Sequence, residues 1–270
     1  MNDILKTLSE HHAFGGVQSF HEHASHEIGL PMRFSVYLPP QAAQGRVPAL
    51  LYLAGLTCNE ETFAVKAGAQ RMAASLGLAL IAPDTSPRGS AVESLPGATA
   101  HWRMESWIVH ELLPFVARHF AIDDRRLGIF GHSMGGHGAL TLAMRHPGRF
   151  KSLSAFAPIC APTQCPWGEK AFSGYLGEPG GDRAQWLAHD ASALMKSQIA
   201  APYPQGILID QGLSDKFLAE QLHPEAFEAA CFAAGQPLTL RRHAGYDHGY
   251  YFIQTFMADH IAHHAQTLHG

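Results

Sequence analysis

The chain has 270 residues, 46% hydrophobic and 16% charged, a length and balance that suit a globular α/β protein without disulfide staples and argue against disorder. Lysine and arginine total 19 against 23 acidic residues, a formal net charge of −4, so there is no basic footprint for nucleic acid. Residues 1–10 lack the apolar core of a signal peptide and no apolar run reaches the roughly 18 residues of a membrane span, which makes the cytoplasm the expected setting.

Residues 34–38 (FSVYL) read as an early strand. Residues 49–53 (ALLYL) form an uninterrupted apolar run, as a strand buried on both faces requires. A helix is predicted over 63–76, a strand over 78–82, a helix over 106–119 and a strand over 126–130. A helix follows Ser133, and strands are predicted at 152–156, 206–210 and 238–242. The last helix, over 251–266, carries Phe252, Phe256, Met257 and Ile261 at helical spacing. Strands alternating with helices predict a mostly parallel sheet flanked by helices on both faces, in one domain spanning 1–270. Residues 158–190, rich in Pro, Gly and aromatics, read as an excursion over the active face, at the carboxyl end of the sheet where open α/β folds bind ligands.

Cys58, Cys160, Cys165 and Cys231 form no Cys-x-x-Cys pair and are too few for a disulfide framework. Among the 19 histidines, His21 and His23 would share one face of a strand with His26 nearby, and His263 and His264 sit near the end of a helix. No Cys or carboxylate set with ligand spacing accompanies them, so they are read as surface histidines and no metal or other cofactor is expected.

Gly131-His132-Ser133-Met134-Gly135 matches G-x-S-x-G, with an apolar strand before it and good helix formers after it. A serine hydroxyl attacks only when a base takes its proton. In the α/β-hydrolase fold the acid and then the histidine follow the serine along the chain. Asp215 lies in a loop just beyond the strand at 206–210; Asp210, at the strand end, is its rival and is expected to hydrogen-bond at the sheet edge. His248, in Gly-Tyr-Asp-His-Gly after the last strand, is the candidate base, with His243 as competitor. His132 and His137 lie too close to the serine in sequence to act as its base and are expected to line or support the turn. An oxyanion hole needs two backbone N–H groups, assigned to Met134 and to Leu56 in the loop after ALLYL. Cys58, two residues on, is expected to lie near the site without a chemical role.

Longer blocks then carry a resemblance. GLTCNEETFAVKAGAQR (55–71), APDTSPRG (82–89), IFGHSMGGHGAL (129–140), SAFAPIC (154–160), CPWGEKAFSGYLG (165–177), DQGLSDKFL (210–218) and GYDHGYYFI (245–253) closely resemble the S-formylglutathione hydrolase (esterase D) family over nearly the whole chain. The resemblance implies an α/β-hydrolase fold, a triad of Ser133, Asp215 and His248, and a homodimeric thioesterase of formaldehyde detoxification that releases formate and glutathione. It also implies cleavage of small oxygen esters. One departure stands out: relatives carry a longer glycine- and aromatic-rich loop where this chain has only residues 90–101 (SAVESLPGATAH). The shorter loop predicts a more open acyl pocket, unless Trp167 closes it. Glutathione carries two carboxylates, so a cation is expected on the leaving-group side. Lys66, Arg88, Arg103, Lys170 and Lys216 are the candidates, Arg103 and Lys216 ranking first. The alternatives to a glutathione thioesterase are a general short-chain carboxylesterase, an acyltransferase, and a non-catalytic binding protein, the last disfavoured by the intact Ser, Asp and His set.

Overall fold

The computed structural model describes residues 4–85, 103–177 and 183–270. Residues 90–101 and Arg88 lie outside the described residues. Among the described residues nine strands form one sheet: β1 (Lys6–Ala13), β2 (Gly16–Ala24), β3 (Pro31–Leu38), β4 (Val47–Leu53), β5 (Ala79–Pro83), β6 (Ile122–His132), β7 (Ser152–Phe156), β8 (Ile207–Gly212) and β9 (Leu238–His243). Their spatial order is β1-β2-β3-β5-β4-β6-β7-β8-β9. The first three strands pair antiparallel, β3 joins β5 antiparallel, and the strands from β5 to β9 run parallel. The mostly parallel sheet is the one the alternating pattern predicts, and the architecture is the α/β-hydrolase fold that the resemblance implies.

Every residue of β4 is buried, because helices cover both faces of the sheet. Successive β4 residues point to opposite faces, so Leu51 and Leu53 join one apolar core while Leu50 and Tyr52 join the other. Trp107, Phe115 and Leu140 complete the first core; Phe63, Phe252 and Met257 complete the second. Both cores end at the carboxyl edge of the sheet and fix the loops that rise from it. The excursion begins where β7 ends and includes a helix, Pro166–Leu176.

Three expectations need correction. The helix predicted over 63–76 is two helices, Glu60–Lys66 and Gln70–Leu76, because Gly68 between them adopts φ +67°. The strands β1 and β2 precede the first predicted strand. β1 is solvated along most of its length, and β2 buries polar Gln18, Ser19, His21 and His23, so neither shows an apolar alternation. The histidines are corrected most sharply, since His21, His23 and His264 are buried in the interior. His21 bonds to Ser19 Oγ at 2.7 Å, His23 accepts from Trp107 Nε1 at 3.0 Å, and His264 sits between Ser152 and Ser154 at 2.6 and 2.9 Å. Burial pushes His21 down to about 4 and His264 well below the ordinary imidazole value, so these rings are neutral core residues. Among the described residues, no group of three or more His, Cys, Asp or Glu could hold a metal ion. Nor is any helix there long and apolar enough to cross a membrane.

Candidate active site

Ser133 sits between β6 and the helix Met134–Arg145 at φ 57°, ψ −119°, a backbone setting that costs about 1–3 kcal/mol and persists only when its surroundings enforce it. The enforcement comes from its neighbours. A Cβ on Gly131 would strike the Gly135 carbonyl, and one on Gly135 would strike the Leu53 carbonyl, so both motif glycines are demanded by close packing. Ser133 N donates to Phe156 O at 3.0 Å and its carbonyl accepts from His137 N at 2.9 Å, pinning the turn between β7 and the new helix.

The loop after β4 meets this turn. A Cβ on Gly55 would come within 3.3 Å of Ser133 Cβ. Cys58 N donates to Gly55 O at 3.0 Å, closing a β-turn over residues 55–58 in which Thr57 takes φ 69°. Leu56 occupies the second position of that turn, whose N–H the turn bond does not use. Met134 opens its helix, so its N–H is one of the four that a helix leaves without an internal partner. Met134 thus follows the serine directly, and the turn that carries Leu56 packs against the serine through Gly55. Cys58 is partly buried, and Tyr250, which it contacts, lies 3.4 Å from the Tyr52 hydroxyl.

Two further loops close the site. Gly212 ends β8, and a Cβ there would strike the Tyr246 carbonyl; Ser214 N donates to that same carbonyl at 2.9 Å. The loops carrying Asp215 and His248 are therefore zipped backbone to backbone. His248 Nδ1 lies 2.5 Å from Asp215 Oδ2. Asp215 also accepts from Phe217 N at 2.9 Å and Gln211 Nε2 at 3.3 Å. Burial works to raise the Asp215 carboxyl, but the His248 bond and charge, with the Phe217 and Gln211 donors, outweigh it and leave the group below its ordinary value. The His132 ring lies 4.4 Å from the His248 ring, which joins the histidine loop to the serine turn.

Asp210 and His243, the rivals, belong together elsewhere. Asp210 is fully buried, not at a sheet edge, and accepts from Arg241 Nε at 2.6 Å, His260 Nε2 at 3.1 Å and His243 Nε2 at 3.1 Å. His243 also stacks on Phe256 at 3.8 Å, away from the serine turn.

The four candidate substrate contacts separate. Trp167 packs 4.7 Å from Phe217, and Lys216 Nζ lies 4.9 Å above the same ring, which in turn stands edge-on 5.0 Å from His248. Arg103 is engaged in an ion pair with Glu27 at 3.0 Å. Phe217, which gathers Trp167, Lys216, Asp215 and His248, was not singled out from the sequence; its position two residues after the acid was the available signal.

A mostly parallel nine-stranded sheet, with a glycine-flanked serine on a strained strand-to-helix turn at its carboxyl edge, makes this chain a serine hydrolase of the α/β-hydrolase fold. The esterase family model, described as "Putative esterase", matches residues 25–263. S-formylglutathione hydrolase of Mus musculus is 48% identical over 285 residues, covering 98% of this chain and 99% of that protein. S-formylglutathione hydrolase of Paracoccus denitrificans (strain Pd 1222) is 47% identical over 286 residues, covering 99% of this chain and 100% of that protein. A solved S-formylglutathione hydrolase from Agrobacterium tumefaciens superposes with a TM-score of 0.90 at 42% identity, covering 97% of this chain and 99% of that one. The chain belongs to the S-formylglutathione hydrolase family.

Proposed function

We propose that the chain hydrolyses S-formylglutathione to glutathione and formate, with Ser133 as nucleophile, His248 as general base and Asp215 as the acid that orients it. His248 takes the Ser133 proton as Oγ attacks the formyl carbon, and the resulting oxyanion is held by the Leu56 and Met134 N–H groups. The C–S bond then breaks, His248 returns the proton to the departing sulfur, and formyl-Ser133 remains. A water molecule, deprotonated by His248, attacks this ester; formate leaves and the proton returns to Ser133. A thiol with pKa near 8.5 needs less protonation to depart than an alcohol does, which suits a thioester substrate.

The Asp215–His248 bond beside the serine turn carries this reading. The near-complete overlap with relatives named S-formylglutathione hydrolase supports the choice of substrate. On the leaving-group side Lys216 becomes the favoured cation, because Arg103 would first have to leave Glu27. Cys58 is proposed as a bystander of the oxyanion turn and Trp167 as a wall of the pocket. A homodimer in the cytoplasm completes the reading, testable by sedimentation and by cell fractionation. The functional test measures formate release from S-formylglutathione against acetyl and propionyl glutathione and p-nitrophenyl acetate. A high kcat/KM for the formyl thioester is expected, with a mild fall across the longer acyl groups because of the short 90–101 loop. Equal rates on all four substrates would point instead to a general carboxylesterase.

A further inference from the structure

His132 is a buried imidazole that the proposed mechanism does not use. Only 5% of its surface is exposed, and neither Nδ1 nor Nε2 makes a hydrogen bond of ordinary geometry, the His248 backbone being the polar group nearest the ring's reach. Leaving a buried polar group unpaired costs about 1–3 kcal/mol, so an apolar side chain of similar shape would be cheaper for the fold. The residue stands at a crowded junction. Its ring lies 4.4 Å from the His248 ring at an interplanar angle of 48°. A Cβ on Gly55 would come within 3.0 Å of its Nδ1, so it also packs on the turn that carries Leu56. Phe217 covers His248 edge-on at 5.0 Å.

We propose that His132 is a positioning residue: with Phe217 it forms a slot of two rings that holds His248 against Asp215, and it ties that slot to the oxyanion turn through Gly55. The proposal rests on the assignment of His248 as base. A neutral ring is needed here, since His248 becomes a cation while it holds the serine proton and a second positive charge alongside would oppose that step. Burial, followed by the charge of His248, pushes His132 down to about 3, so it stays neutral throughout the working range. Its π-face is then available to the His248 cation, an interaction of about 0.5–2 kcal/mol at such distances, which corresponds to roughly 2–30-fold in rate. The ring also makes no competing hydrogen bond to Asp215 or Ser133.

The test compares H132L, H132F and His248→Ala in the full chain, reading kcat, KM, melting temperature and the far-downfield proton resonance of the Asp215–His248 hydrogen bond. H132L fills the space without a polar atom or a π-face. It should lower kcat about tenfold, leave KM nearly unchanged, broaden the downfield resonance and keep or raise the melting temperature. H132F restores a ring and should recover kcat to within about threefold of wild type. H132L with wild-type kcat and resonance would overturn the proposal, as would H132L losing kcat and melting temperature together, the mark of a merely structural residue. If His248→Ala keeps its activity, the base assignment itself has failed; if His248→Ala is inactive and H132L is normal, only the slot is wrong.

Discussion

Among the described residues there are two sets of Ser, His and Asp, and one of them has its serine on a strained turn at the carboxyl edge of the sheet. In the first, Asp215 holds His248, whose ring lies against that of His132, the residue before Ser133. In the second, Asp210 accepts from His260 Nε2 at 3.1 Å, and His260 Nδ1 lies 2.8 Å from Ser154 Oγ. All three of these residues have no exposed surface. A carboxylate only accepts, which fixes the order of protons: His260 donates to Asp210, Ser154 to His260, His264 to Ser154, and Ser152 to His264. Arg241 balances the Asp210 charge at the outer end. Residue type and the His–Asp hydrogen bond are thus shared by both sets. What separates them is a strained turn that lifts Ser133 out of its strand, whereas Ser154 lies within β7 with its hydroxyl consumed.

The largest effect that can break this comparison is at the serines. Ser133→Ala should lower kcat by roughly 10⁶-fold with an unchanged melting temperature. Ser154→Ala should keep kcat near wild type yet lose stability, since it strands a nitrogen on each of His260 and His264, at about 1–3 kcal/mol apiece. Thermal melts with parallel assays decide between them. Inactivity of Ser154→Ala at native stability would make the second set catalytic.

The acids come next. Asp215→Asn should reduce kcat by about 10⁴-fold, as loss of the orienting carboxylate leaves the imidazole in the wrong tautomer. Asp210→Asn should spare kcat and cost about 3–5 kcal/mol in urea unfolding, because Arg241 and His260 lose a buried partner. If Asp210→Asn proved the more damaging to kcat, the two acids would have to exchange roles.

Acid should act on the molecule through its buried histidines. His21 and His137 are pushed down to about 4 by burial, and His260, His263 and His264 also fall below their ordinary value of 6.5. Below pH 6.5 the unfolded chain gains protons that these folded rings refuse, so stability present above that pH is lost as pH falls toward 4. Each neutral ring contributes a slope of up to about 1.4 kcal/mol per pH unit. Urea midpoints should therefore drop steeply between pH 6.5 and 4; a flat profile there would show that the rings take up protons without unfolding.

These histidines also mark where the sequence is hard to read. Glycines at 131, 135 and 212 and the apolar run at 49–53 announce close contacts and double-sided burial, so the serine turn, the acid loop and the parallel strands were legible. His260 and His264 are polar residues one helical turn apart, a pattern shared by solvated faces, and their serine partners lie more than a hundred positions away. β1 and β2 stayed hidden for a related reason, since one is solvated and the other buries polar side chains. Phe217 is a single aromatic residue whose meaning comes only from the fold.

Smaller effects are expected at the rim. Lys216→Ala should raise KM for S-formylglutathione several-fold and spare p-nitrophenyl acetate, which has no anion to grip, while Arg103→Ala should change KM less; equal losses on both substrates would exclude a carboxylate contact. Smallest of all, Cys58→Ala should keep kcat and become resistant to thiol alkylation, which in the wild type should block turnover beside the oxyanion turn. An inactive but folded Cys58→Ala would give the thiol a role of its own.

The most direct measurement labels the protein with an organophosphonate that traps an activated serine, then reads intact mass, peptide map and residual activity together. One phosphonyl group per chain on the peptide carrying Ser133, with activity falling in proportion and the Ser154 peptide untouched, is the predicted result. Labelling at another residue, or full activity with Ser133 blocked, would contradict the account.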